Sequence, residues 1–167
     1  MQITSWNCRG LGNPKKVEAV KYLLRMEPSN ILLLQETNIA EDVLLLLSKT
    51  KWKKNFGMDV SARGTSRGLP TSWSEEYFLL KASYASQHWI FTHLQHIPSK
   101  TSLALFNLYV PVNLIEKKDC WTSLSQFIEN HSPINIIVVG DLNIILDPME
   151  KKGGVRGKDY FHEFVET

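Results

Sequence analysis

The chain has 167 residues, near the length of one domain at about 150 residues each, and its 43% hydrophobic and 22% charged content excludes disorder, a collagen-like repeat and a coiled-coil rod. Its longest apolar runs, residues 31–34 and 43–47, fall far short of the roughly 20 needed to cross a bilayer. A net charge of +2 is too small to demand a polyanionic partner by itself.

The start, Met-Gln-Ile-Thr-Ser-Trp, lacks the basic and apolar stretches of a secretion signal. The sequence therefore reads as soluble and intracellular, nuclear or cytoplasmic, without membrane attachment. Cys8 and Cys120 are far apart and in no metal-ligand spacing, so each is expected to be a small buried apolar group in a reducing compartment.

In chain order, residues 2–7 read as a short strand. Asn13-Pro14 then has the form of a helix start, an amide that caps free N–H groups followed by the ring tolerated at the first helical position. Val17, Val20, Leu23 and Leu24 recur at helical spacing as far as Met26, and Pro28 stops the helix. Residues 31–34 are apolar on both faces, as in a buried strand, and 43–47 predict a second, short helix.

Three extended runs follow, at 76–82, 88–95 and 103–110, separated by short breaks that predict an antiparallel meander. Residues 120–128 predict a helix with Trp121, Leu124, Phe127 and Ile128 on one side. Residues 134–139, apolar except for Asn135, predict another strand, and a last helix is expected near Asp159, burying Tyr160, Phe161 and Phe164. The order βαβα, meander, αβ predicts a mixed, layered α/β fold.

Polar residues end the apolar strands: Asn7, Gln35-Glu36, Asn107 with Tyr109, and Asp141 followed by Asn143. One such ending is routine. Four suggest a shared rim, where layered α/β folds commonly place their ligands. Glu36 and the amide oxygen of Asn7 are hard oxygen donors suited to Mg²⁺, and no His or Cys cluster competes for a softer metal. Tyr109 can donate to a phosphate oxygen, Asp141 can accept a proton from water, and the Asn143 amide can position phosphate or water. Metal, base and neutral donors together are the parts needed to hydrolyse a phosphate ester.

At these residues the sequence resembles the endonuclease/exonuclease/phosphatase superfamily, which includes DNase I and the apurinic/apyrimidinic endonucleases. The matching stretches are Trp6-Asn7-Cys8-Arg9-Gly10, Gln35-Glu36-Thr37, Asn107-Leu108-Tyr109-Val110-Pro111 and Gly140-Asp141-Leu142-Asn143. The wording Asn-Cys-Arg-Gly-Leu-Gly, with Lys-Lys-Gly-Gly after Gly-Asp-x-Asn, is most similar to endonuclease domains of plant LINE-type retrotransposons.

The resemblance implies a DNase I-like sandwich of two mixed β-sheets flanked by helices, lacking its last strands, as one domain over residues 1–167 that is incomplete at its C-terminus. It implies Mg²⁺, with Mn²⁺ as an alternative, at Asn7 and Glu36. Tyr109 would contact the scissile phosphate, Asp141 would orient or deprotonate water, and Asn143 would help hold the phosphate. DNA is the expected substrate, and no stable protein partner is indicated.

The family pattern continues to a Ser-Asp-His motif that is absent before Thr167. His88, His93, His96, His131 and His162 do not match it, so the enzyme is expected to be weakened or inactive as truncated. Val112 stands where relatives often have Asn, and Pro70 interrupts the segment after a remnant glycine-rich turn at residues 64–68. The alternatives are a non-enzymatic relic that binds nucleic acid or nothing, and a phosphatase of inositol lipids or small phosphoesters.

Overall fold

In a computed structural model, which describes residues 1–26, 29–37 and 68–144, the chain order is β1 (Ile3–Asn7), α1 (Pro14–Met26), β2 (Ile31–Gln35), β3 (Thr71–Trp73), β4 (Phe78–Ala85), β5 (Trp89–His96), β6 (Ser102–Tyr109), α2 (Leu114–His131) and β7 (Ile136–Asp141). Two local signals set the helix starts. Asn13 accepts from the Lys15 N–H at 2.9 Å with Pro14 in the first helical position. Asn113 accepts from the N–H groups of Ile115 and Glu116. That cap starts α2 ahead of the apolar spacing that begins at Cys120, so the helix is longer than its periodicity predicts.

The strands form two mixed sheets. One runs β1-β2-β3, with β1 parallel to β2 and β3 antiparallel; the other runs β4-β5-β6-β7, an antiparallel meander followed by a parallel β7. Each parallel pair needs a crossover, and α1 and α2 supply them. Each helix covers the outer face of its own sheet. Val20 of α1 packs with Leu32, Leu34, Cys8 and Leu11, and Trp121, Leu124 and Phe127 of α2 pack with Trp89, Phe91, Phe106 and Leu108.

Between the sheets, Ile31, Leu33 and Trp73 meet Phe78, Leu94, Leu103 and Leu105. This four-layer packing explains the unbroken apolar run of β2. Alternate residues face α1 and the opposite sheet, so both faces are buried. The result is a layered sandwich of two mixed sheets flanked by helices, as the sequence predicts.

Strand β3 was not predicted. Pro70 lacks an N–H, yet its carbonyl accepts from Leu34 N at 3.0 Å, so the proline serves the ladder as an acceptor just before Thr71. The helices expected at 43–47 and near Asp159 lie outside the described residues. Among the described residues no helix is long and apolar enough to cross a membrane, and Cys8 and Cys120 are free and buried.

Candidate active site

Parallel strands end together at one edge of the sandwich. Asn7 is the last residue of β1 and Glu36 follows β2; Tyr109 ends β6 and Asp141 ends β7. In the registers Asn7 lies opposite Gln35, and Tyr109 lies opposite Asp141. The two parallel pairs belong to opposite sheets, so their C-terminal ends border a common cleft.

Asn7 joins the sheets. Its Nδ2 donates to Glu36 Oε1 at 2.9 Å and to Asp141 Oδ2 at 2.6 Å. Two carboxylates side by side repel, and an N–H donor between them offsets part of that repulsion. The Asn7 oxygen, expected to face a cation, accepts from the Arg9 backbone N–H at 2.9 Å. In this arrangement Asn7 therefore orders the carboxylates through its nitrogen. Glu36 and Asp141 are the charged oxygen donors brought together, and among the described residues no group of three or more His, Cys, Asp or Glu is clustered to cage a metal.

A tight turn fixes Asp141 from the other side. Its Oδ1 accepts from the Asn143 backbone N–H at 3.0 Å, and Asn143 adopts φ of 46°. The Asn143 amide, expected to hold phosphate, donates to Val110 O at 2.6 Å, so Asn143 acts on Asp141 through its backbone. Lys117 of α2, only 3% exposed, donates to the Asn143 carbonyl at 2.7 Å. Val110 N donates to Asp141 O at 2.9 Å, which holds Asp141 beside Tyr109.

The backbone carries the strain of this convergence. Arg9, Glu36 and Asn143 have φ values of 48°, 51° and 46°, a left-handed conformation that disfavours non-glycine residues by about 1–2 kcal/mol each. The Glu36 turn is held because its carbonyl accepts from Gly10 N at 2.7 Å while Thr37 N donates to Gly68 O at 3.3 Å. Gly140 has φ of 147°, and a Cβ there would lie 2.0 Å from Leu108 O. Only glycine lets β7 come this close to β6 immediately before Asp141.

Below the carboxylates, fully buried Asn107 ties the sheets together. Its Nδ2 donates to Leu34 O at 3.2 Å, to Pro70 O at 3.1 Å and to Thr71 Oγ1 at 3.3 Å, while its Oδ1 accepts from Gln35 Nε2 at 2.7 Å. Asn107 belongs to the strand-end residues by sequence, and the structure gives it the part of a buried tie between the sheets. Lys117 and Gly140 were missed as supports: nothing in an exposed-looking Glu-Lys-Lys-Asp run marks one lysine as buried. The cleft is about 620 Å³ and is lined by Asn7, Arg9, Gln35, Val112, Asp141 and Asn143 among others, while Glu36 and Tyr109 stand beside it and are not lining residues.

No family model and no curated protein matches the sequence. Solved structures share its fold. An endonuclease/exonuclease/phosphatase family protein from Bacteroides thetaiotaomicron matches with a TM-score of 0.66 at 11% identity, over 85% of this chain and 63% of that one. A mannosyl-6-phosphatase from the same organism matches with a TM-score of 0.66 at 10% identity, over 85% of this chain and 65% of that one. The endonuclease domain of TRAS1, a telomere-specific non-LTR retrotransposon, matches with a TM-score of 0.64 at 11% identity, over 98% of this chain and 68% of that one. The chain thus spans less than two thirds of the two Bacteroides proteins. Two mixed sheets, two outer helices and these likenesses give one conclusion: the chain has the DNase I-like fold of endonuclease/exonuclease/phosphatase proteins.

Proposed function

We propose that the chain is a metal-dependent phosphodiester hydrolase acting on DNA, of the retrotransposon endonuclease type. The observation that carries this reading is the meeting of Glu36 and Asp141, from opposite sheets, at the single nitrogen of Asn7. The donor set fits Mg²⁺ (or Mn²⁺): hard oxygens, at most two carboxylates, and an open cleft in which the ion keeps its waters. Glu36 would hold the ion with Asn7 beside it, and when bound it would offset negative charge gathering on the phosphate oxygens.

The remaining roles fall to groups of the chain itself. Asp141, fixed by Asn143 N–H and Asn7 Nδ2, orients the attacking water and takes its proton. Tyr109, beside Asp141 in the register, donates to the scissile phosphate.

Plasmid nicking tests the reading. The chain should nick supercoiled DNA with Mg²⁺ or Mn²⁺ and stop in EDTA, and Glu36→Gln and Asp141→Ala should each remove the activity. Nicking that persists in EDTA, or equal rates for the chain and Asp141→Ala, would overturn it.

A further inference from the structure

We propose that Val112, Leu114 and Ile115 form an apolar lip that seats the sugar and base of the nucleotide flanking the phosphate in the cleft. This deepens the reading of the site as a DNA phosphodiesterase and rests on it. The three side chains are 72%, 59% and 75% exposed. Single exposed aliphatics are ordinary on a protein surface, but three within four consecutive positions form a patch.

The backbone under these residues is tied to that of Asp141. Asn113, between its members, has φ −64° and ψ 130° and accepts from the N–H groups of Ile115 and Glu116, which pins the backbone under the lip. Val110 and Pro111 behind it are buried. Val110 N donates to Asp141 O at 2.9 Å, and Val110 O accepts from Asn143 at 2.6 Å. The lip therefore begins two residues from backbone bonded directly to the proposed base. Val112 reaches the cleft, which it lines together with Asn7, Asp141 and the exposed Arg9, and Leu114 and Ile115 extend the apolar surface from it outside that lining.

A ligand that fills both parts needs an anion next to an apolar face. A nucleotide strand offers a phosphate beside a deoxyribose and a base, and apolar side chains set against base steps are an established mode of DNA contact. A sugar phosphate presents hydroxyls that these aliphatics cannot pair. A lipid surface calls for aromatic anchors and basic residues. The lip has no Trp or Tyr to anchor it in such a surface.

The test is binding without turnover. Fluorescence anisotropy of a DNA duplex in EDTA should show Leu114→Ser/Ile115→Ser binding about tenfold more weakly than the parent chain, since partial burial of two aliphatic side chains contributes on that scale. The slope of log Kd against log salt should stay unchanged, because no phosphate contact is lost. An Arg9→Ala control should instead reduce that slope. Both substituted side chains are exposed, so thermal melting should match the parent. Equal affinity for DNA, a loss accompanied by a reduced slope, or a loss seen on anionic phosphatidylserine vesicles instead of DNA would overturn the lip. DNA binding by the parent that the double variant retains would remove the lip and leave the nuclease reading standing. No DNA binding by the parent, at low salt, would remove both.

Discussion

Asn7 and Asp141 lie 134 positions apart in the sequence and 2.6 Å apart in space, amide nitrogen to carboxylate oxygen. The contact exists only when the two sheets are stacked, so the proposed base and its ordering donor form a late, tertiary feature. A hydrogen bond to a charged group contributes about 1.5–3 kcal/mol, less where water shares it as at this half-buried site. Asn7→Ala should therefore keep the fold and lower nicking roughly 10- to 100-fold. Asn7→Asp should be worse, because it exchanges a donor between two carboxylates for a third negative charge. Nicking rates beside a circular dichroism melt measure both effects. Full activity in Asn7→Asp would show that the bridge to Asp141 has no catalytic consequence.

Gly140→Ala tests the close approach of β7 to β6. The added methyl meets Leu108 O at 2.0 Å, a backbone atom that cannot swing away, in a conformation L-residues rarely adopt. The strand must shift or the residue must flip, at about 3 kcal/mol or more. For a chain of this size roughly 2–4 °C is lost per kcal/mol, so the melting temperature should fall by about 10 °C. A melt within about 2 °C of the parent would mean that β7 relaxes freely.

Much of this architecture was legible because burial imposes patterns. The apolar run from Ile31 reads as a strand buried on both faces, and Asn13-Pro14 announces α1, since both depend on local sequence. Strand β3 was illegible because three residues after a proline carry no periodicity, and only the partner carbonyls reveal that Pro70 accepts from Leu34. The strand-end residues were legible by type, but the orientation of an amide was not. Whether Asn7 presents oxygen or nitrogen to Glu36 depends on the Arg9 N–H, which is positioned by a left-handed turn. Asn107 looked like one more polar ending. Its burial as an inter-sheet tie follows from partners at Leu34, Gln35, Pro70 and Thr71 that no local pattern connects to it.

The two thiols should be inert in the folded chain. Burial pushes Cys8 up to about 12, against a lowering pull from Lys16, and burial alone pushes Cys120 up to about 12. Near pH 8 a thiol at that value is roughly one part in 10⁴ thiolate, the reactive form. Ellman's reagent should label neither cysteine over minutes in native buffer and both at once in guanidinium. Fast native labelling of Cys8 would mean that the segment following β1 opens, and with it the support of Asn7.

Stability should fall in mild acid partly through His88. Burial holds its imidazole below the ordinary value of 6.5, while the charges of Glu116 and Asp119 act to raise it. Above about pH 6.5 the ring is neutral in folded and unfolded chains alike, and its contribution is complete. Below that value the unfolded chain takes up the proton while the folded chain resists, so each step down in pH favours unfolding. The loss from this residue ends once the pH has dropped below the folded value. Urea midpoints for the parent and His88→Gln at about pH 7.5 and about pH 5.5 separate this contribution from that of other groups. The parent should lose more stability over the interval. Glu116→Gln removes a charge that favours the protonated ring, lowers the folded value further and should steepen the loss. Parallel curves for parent and His88→Gln would show that His88 takes up its proton equally in both states.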